Sequence, residues 1–296
     1  MLMEKEYTGP GYTLLYGETE EGVVITGFRG RVSSVKVPEQ LEGKTVIRVD
    51  RKAFLSKKTL REIELPSTVR GVGDWAFAYC TNLKQVTLPA GQVEIGKTLF
   101  LDCISLENIE SYGWDQETGH LLAAAVTLMD ANYLLDTAEA GSREWLKKWD
   151  ARLFAVMTEE DLEGYQKQIL CGEEDYGSTD VNAYLRRRRM KKVKLAMLRL
   201  LYSRGLSEEH RDYLETYLRE HTKGSGGEET WLVLWQEYPH DMVRTQLFLD
   251  LGCVNEENLE AILKDLGEEY PEMKARFLRY RDNNMGYQDF FEGLSL

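Results

Sequence analysis

Four histidines are the first residues to examine for chemistry, because imidazole can serve as acid, base or metal ligand near neutral pH. His120, His210, His221 and His240 are scattered, with no H-E-x-x-H pair and no cysteine at zinc-ligand spacing. No G-x-S-x-G raises a serine on a nucleophile elbow. Lys223-Gly-Ser-Gly-Gly227 is glycine-rich, but it lacks the G-x-x-x-x-G-K-[ST] order that cradles phosphates. Glu173-Glu-Asp-Tyr-Gly-Ser-Thr-Asp180 offers carboxylates without the ligand order or bidentate Glu of a calcium loop, and acid-rich turns are usually solvated. Cys171 and Cys253 have no C-x-x-C neighbour. These residues predict no catalytic centre, no metal and no cofactor, and the expectation is a protein that is not an enzyme.

One cluster does stand out, Arg186-Arg-Arg-Arg189-Met-Lys191-Lys192-Val-Lys194. A basic run can neutralise phosphates, so Arg186, Arg187, Arg188, Arg189, Lys191 and Lys192 are candidate contacts for nucleic acid or an acidic partner. Four consecutive arginines on a helix, however, spread around its circumference instead of forming one groove-facing stripe. From Val193 to Tyr202 the same helix is apolar on almost every side, so its second half should be buried. The preceding residues 158–177 carry seven acids and one base. Residues 180–204 have a net charge of +8 within a second half that is −12 overall, so their surroundings sum to −20. Such a field repels nucleic acid. Internal neutralisation, by acids such as Glu173, Glu174 and Asp175, is therefore the leading reading; an acidic protein partner is second and nucleic acid third.

The elements that would position any site fall into two kinds. Between Val32 and Ile109 the chain repeats at an interval of 23 residues, in Leu60, Leu83, Leu106; Ile63, Val86, Ile109; Phe54, Phe77, Phe100; Pro66, Pro89; Gly73, Gly96; and Cys80, Cys103. A period of this length marks a solenoid whose coils bury their apolar faces on their neighbours. Ile63 and Leu65 alternate with outward polar residues as a short half-exposed strand does, and Pro66 ends that strand. Gly73 serves a tight or left-handed position. An earlier coil from Val32 to Phe54 fits if an insertion around Leu41 to Thr45 is allowed. Cys80 and Cys103 should stack; a disulfide is conceivable, but two small buried thiols are the expected state in a reducing compartment.

The pattern L-x-x-I-x-L-P-x-x-V-x-x-V-G-x-x-A-F-x-x-C from Leu60 to Cys80 resembles the BspA-like leucine-rich repeat family over about a quarter of the chain. The resemblance implies a right-handed solenoid with a parallel strand ladder, a general role in binding macromolecules, and no catalytic residues. Family members are often secreted or surface-exposed and carry more repeats. This chain differs, since Met1-Leu-Met-Glu-Lys-Glu6 places acids where a signal peptide has an apolar core, and Leu121 to Met129 is too short to span a membrane. The expectation is a cytoplasmic protein.

With 296 residues the chain has room for two or three domains. Of its 50 acids and 37 bases, residues 1–110 hold 15 and 14, so the acidity belongs to the second half. Tyr12–Tyr16 and Gly22–Thr26 read as strands of an N-terminal cap. After Ile109 the period becomes helical: Leu121 to Leu135; a helix capped by Ser142 with Trp145, Trp149, Leu153 and Val156 on a core stripe; and Glu159 to Leu170. Ser178-Thr179 should cap a helix from Asp180 to Arg204, ended by Gly205. Leu200 to Glu209 and Phe248 to Glu257 share an order of apolar helix end, glycine, apolar residue, Ser or Asn cap and two acids, which suggests repeated helical hairpins. The predicted fold is α+β, a short repeat solenoid followed by an all-α hairpin region, with domains 1–111, 112–177 and 178–296.

The expected function is a non-catalytic protein-interaction scaffold, with a nucleic-acid-associated regulator using Arg186–Lys194 as the alternative. The partner would be a protein of unidentified kind, and the oligomeric state is open. The outward strand positions align as Ser33, Arg61, Lys84, Glu107; Ser34, Glu62, Gln85, Asn108; and Lys36, Glu64, Thr87, Glu110. Arg61, Glu62, Glu64, Lys84, Gln85 and Thr87 are the candidate protein-binding residues. Mixed charge without exposed aromatics predicts a polar interface.

Overall fold

The computed structural model describes residues 3–163, 165 and 180–285. The chain forms two compact units, Met1–Met157 and Thr158–Leu296.

Unit one is a parallel-strand solenoid. Strands β4 (Ser34–Lys36), β7 (Glu62–Glu64), β9 (Gln85–Leu88) and β11 (Asn108–Ser111) form one parallel sheet in that order. On the other side of each coil, β6 (Lys44–Val49), β8 (Gly71–Val72) and β10 (Glu94–Ile95) continue a seven-stranded sheet that begins with β1 (Lys5–Gly9), β2 (Tyr12–Glu18) and β3 (Val23–Gly30). The short β5 (Gln40–Leu41) pairs with β6 in the inserted turn. β1 to β3 are antiparallel, and β3 then pairs parallel with β6, so the hairpins close the first coil's open strand edge. β2 and β3 are the two strands read from the sequence. β1 escapes that reading because its residues alternate only between half-buried and exposed.

The 23-residue period is a packing period. Phe54, Phe77 and Phe100 stack at centroid distances of 5.5 and 5.7 Å, and Phe28 of the cap extends the column, 5.4 Å from Phe54. The Cys80 thiol donates to the Phe54 carbonyl and the Cys103 thiol to the Phe77 carbonyl, both at 3.1 Å, so each cysteine links its coil to the one before. Both are free thiols, and burial pushes them up to about 11 and about 12. Gly73 and Gly96 serve close approach: a Cβ would lie 2.5 Å from the Arg51 nitrogen and 2.3 Å from the Asp74 nitrogen of the preceding coil. The left-handed corners fall to other residues at the same interval, Lys52, Trp75 and Thr98, then Ser56, Tyr79 and Asp102. A left-handed residue with a Cβ costs about 1–2 kcal/mol. At Trp75 the Arg51 guanidinium, 4.4 Å from the ring centre, supplies part of the offset.

Helix α1 (Gln116–Thr127) packs on β11 and covers the last coil, burying Leu121 and Leu122. It starts before Leu121 because Asp115 caps it, accepting from the Thr118 amide at 2.9 Å. It ends before Leu135 because Asp130 turns left-handed, leaving Asn132–Leu134 as a separate 3-10 turn. In α2 (Arg143–Thr158) Ser142 does cap the first turn, and Trp145 and Trp149 are core residues. Their indole nitrogens donate to the carbonyls of Leu134 and Leu121, both at 2.8 Å.

Unit two is helical: α3 (Val181–Leu201), α4 (Glu208–Glu220), α5 (Glu229–Leu232) running into a π turn at Val233–Glu237, α6 (Met242–Asp250), α7 (Glu256–Leu266) and α8 (Pro271–Asn284). Asp180 accepts from the Asn182 amide at 2.8 Å and caps α3; Ser178 and Thr179 lie outside the described residues, as do residues 164 and 166–170 of the span Glu159 to Leu170. α3 stops at Leu201, short of Arg204, because Arg199, wholly buried, donates to the carbonyls of Tyr202 and Arg204 and holds the chain turned back. The two similar motifs share their geometry. Gly205 and Gly252 are left-handed at φ 70° and 67°, and Ser207 and Asn255 cap the helices that follow. Trp231, Phe248 and Phe277 form the core at mutual centroid distances of 5.8 to 6.1 Å.

Candidate functional site: the strand face and the basic helix

The parallel register sets the outward residues of unit one in columns. Ser34, Glu62, Gln85 and Asn108 face each other across successive strands, as do Lys36, Glu64, Thr87 and Glu110. Arg61 and Lys84 sit where strands begin, joined by the Lys84 amide donating to the Arg61 carbonyl at 2.7 Å. The structure therefore brings Arg61, Glu62, Glu64, Lys84, Gln85 and Thr87 onto one face. Charge alternates along it: Lys36 pairs with Glu64 at 2.7 Å and Lys84 with Glu107 at 3.6 Å. These pairs are solvent-exposed, so they are weak and easily exchanged.

Sequence reasoning found the columns and missed what stands at their end. Just past β11, Tyr112 is 66% exposed and Trp114 half-buried. With Glu64, Thr87, Asn108, Glu110 and Asp115 they line a cavity of about 570 Å³ over β7, β9 and β11. The signal available was the aromatic pair in Ser111-Tyr-Gly-Trp-Asp115, directly where the period breaks.

On α3 the cations are largely engaged within the unit. Arg188 pairs with Glu159 at 2.9 Å and Arg189 with Asp161 at 2.7 Å and Glu229 at 3.7 Å. Lys192, its side chain 5% exposed, binds the Asp161 carboxylate at 2.8 Å and the Glu159 carbonyl at 2.6 Å. Lys194 pairs with Glu237 at 2.9 Å. Burial alone would raise the Asp161 carboxyl, but hydrogen bonds from Arg189 and Lys192 outweigh it and hold the group below its ordinary range. Arg186 and Arg187 are exposed and Lys191 is half-buried. Glu173, Glu174 and Asp175 lie outside the described residues. A second cavity, about 610 Å³, touches Arg189, Arg219 and His221. Its two arginines already face carboxylates, Arg219 meeting Glu215 at 3.6 Å, so it offers little net positive field.

Among the described residues, no group of His, Cys, Asp and Glu is placed to hold a metal ion, and no helix is long and apolar enough to cross a membrane.

No curated protein matches the chain. Among solved structures it is similar to a leucine-rich repeat protein of T. pallidum, at 39% identity over 32% of this chain and 46% of that one, with a TM-score of 0.32. The chain thus spans less than half the length of that protein. It is also similar to a leucine-rich cell surface protein of Faecalibacterium prausnitzii, at 24% identity over 36% of this chain and 31% of that one, TM-score 0.30. A leucine-rich repeat protein of Bacteroides capillosus matches at 16% identity over 36% of this chain and 99% of that one, TM-score 0.27. The sequence model of the BspA type leucine rich repeat region matches residues 32–115 in six copies. Residues 32–115 are a BspA-type leucine-rich repeat region.

Proposed function

We propose that the chain is a non-catalytic protein-interaction scaffold whose docking surface is the exposed strand face of the repeats. The observation that carries this reading is the register: outward residues from four strands share columns on one rigid ladder. Leucine-rich repeats are commonly protein-binding scaffolds, and a rigid face binds without the entropic cost of ordering a loop. Arg61, Glu62, Glu64, Lys84, Gln85 and Thr87 are the proposed contacts. Residues 112–177 act in this reading as a connecting segment between the repeats of 1–111 and the helices of 178–296. A reducing, cytoplasmic setting suits Cys80 and Cys103, which work as thiol donors in successive coils.

The alternative, a nucleic-acid regulator using Arg186–Lys194, has less support. Arg188, Arg189, Lys192 and Lys194 are taken by carboxylates of their own unit. The test is affinity purification from the native host with wild-type protein and with Glu62→Lys, Glu64→Lys, Lys84→Glu combined. Loss of a co-purifying protein in the variant is the expected result. An unchanged set of partners would remove the strand face from consideration.

A further inference from the structure

The cavity at the end of the strand face has a composition that selects its occupant. Its walls carry three carboxylates (Glu64, Glu110 and Asp115) and two rings (Tyr112 and Trp114), with no lysine or arginine among the described residues lining it. Glu64, Thr87 and Glu110 are consecutive members of one column. Neighbouring strands lie about 4.8 Å apart, so the two glutamates leave the sheet about 10 Å apart with the short Thr87 side chain between them. Among the described residues no three such groups are placed to hold a metal ion, and Asp115 is occupied in capping α1, accepting from the amide and the hydroxyl of Thr118 at 2.9 and 2.6 Å.

Both glutamates keep acceptor capacity. Among the described residues Glu64 meets one cation, the exposed Lys36, and Glu110 accepts from Asn108 Nδ2 at 3.0 Å, whereas a carboxylate offers about four lone-pair sites. Asn108 in the cavity wall is 8% exposed; its Nδ2 is committed to Glu110, and its Oδ1, without a hydrogen-bond partner among the described residues, is buried against Gly119 of α1, so the acceptors that face the cavity are the carboxylates. The lining is thus rich in acceptors, negative and flanked by π faces. Of the protein side chains, arginine matches all three properties: a planar fork of donors, a fixed positive charge, and a flat face that stacks on rings.

We propose that this cavity receives an arginine side chain of a protein partner, its guanidinium above Thr87 between Glu64 and Glu110 and its stem against Tyr112 and Trp114. The proposal rests on the strand face being the docking surface and adds what the partner must present there.

The test uses the full chain, labelled with 15N, and three probes: acetyl-Gly-Arg-Gly-amide and its Lys and Gln counterparts. The arginine probe should give saturable shifts at the amides of Thr87 and Glu110 and at the Trp114 indole N–H. Its affinity should exceed that of the Gln probe about tenfold, and Glu64→Gln with Glu110→Gln should remove about that factor. Glu94→Gln, on the opposite sheet, should leave the response unchanged. Equal responses to all three probes, equal responses to Arg and Lys, shifts elsewhere, or no shifts at millimolar probe would each overturn the proposal. The two readings fail separately. Partners that survive the triple charge reversal sink the strand face itself, while partners lost there with no response to the arginine probe sink only the pocket.

Discussion

Phe77→Ala tests the packing logic of the repeats most directly. The ring is wholly buried, 5.5 Å from Phe54 and 5.7 Å from Phe100, and lies within 11° of parallel to the latter. Removing it takes away transfer free energy and leaves a cavity between two coils whose backbones are fixed by ladders on both sides. Such truncations cost ~3–5 kcal/mol, near the upper end here because the flanking rings cannot collapse together without breaking the ladders. For a unit of this size each kcal/mol lowers Tm by about 2–4 °C, so a fall of roughly 6–20 °C is expected. Thermal unfolding followed by circular dichroism reads it, since strand signal reports this unit and helix signal reports the other predominantly. Tyr79→Ala, two residues along in the same coil but 43% exposed, serves as the control and should stay within about 2 °C. If Phe77→Ala moved Tm no more than Tyr79→Ala does, the assignment of inward and outward positions would be wrong.

Other outcomes follow from particular contacts. Gly96→Ala places a Cβ 2.3 Å from a backbone nitrogen of the preceding coil and should destabilise unit one by about 1–3 kcal/mol or more, measured by urea unfolding. Asn255→Ala removes the side-chain half of a capping box, leaving Asn258 Oδ1 to accept from the backbone amide of residue 255, and should cost about 1 kcal/mol by the same measurement on unit two. Asp161 has a depressed folded carboxyl, so its stabilisation is full above the unfolded value of about 3.9 and is lost as pH falls through the folded value. Asp161→Asn should therefore lower stability at pH 7 by about 1–3 kcal/mol and flatten the acid limb of the stability profile; parallel acid limbs would refute the pairing. Arg187→Gln with Arg188→Gln should leave nucleic-acid binding negligible, as in the wild type, with the fluorescence anisotropy of a labelled oligonucleotide at its free value; salt-sensitive binding by the wild type that the variant loses would restore the nucleic-acid reading.

The solenoid is legible in the sequence because its core is one-dimensional. Leu60, Leu83 and Leu106 meet the same neighbours in each coil, so packing demands the same side chain at a fixed interval. Phe28 belongs to the same ring column but falls 26 residues before Phe54, outside the interval, because it sits in the cap strand β3 and the inserted β5–β6 turn intervenes. β1 is held by β2 and carries little pattern of its own. Trp75 and Tyr79 in left-handed corners run against local preference, because the ladders on either side fix the corner whatever residue occupies it. On the basic helix, Glu159 and Asp161 lie in the acid-rich stretch that the charge pattern singles out, and the buried half begins at Lys192. Glu229 and Glu237 reach Arg189 and Lys194 through tertiary packing of α5 onto α3, which leaves no local trace.

The same physics explains why the partner is harder to read than the fold. An inward position admits one class of side chain, since loss of packing there costs several kcal/mol, whereas most exposed substitutions stay within about 0.5 kcal/mol. The outward columns use that freedom: Arg61, Lys84 and Glu107 differ in sign, and Glu62, Gln85 and Asn108 in charge and length. Periodicity thus has no say over the residues that meet a partner. The chemistry becomes specific where the period ends. There the last strand must stop, Asp115 must cap a helix that covers the raw end of the core, and the connecting Tyr112 and Trp114 are left beside the final carboxylate of a column. A repeat position that accommodated such rings in every coil would have to repeat them; a terminus accommodates them once. The cavity at Glu64, Thr87 and Glu110 is accordingly a property of the solenoid's end, and lengthening the solenoid by one coil after Ser111 would move the rings away from Thr87 and abolish it.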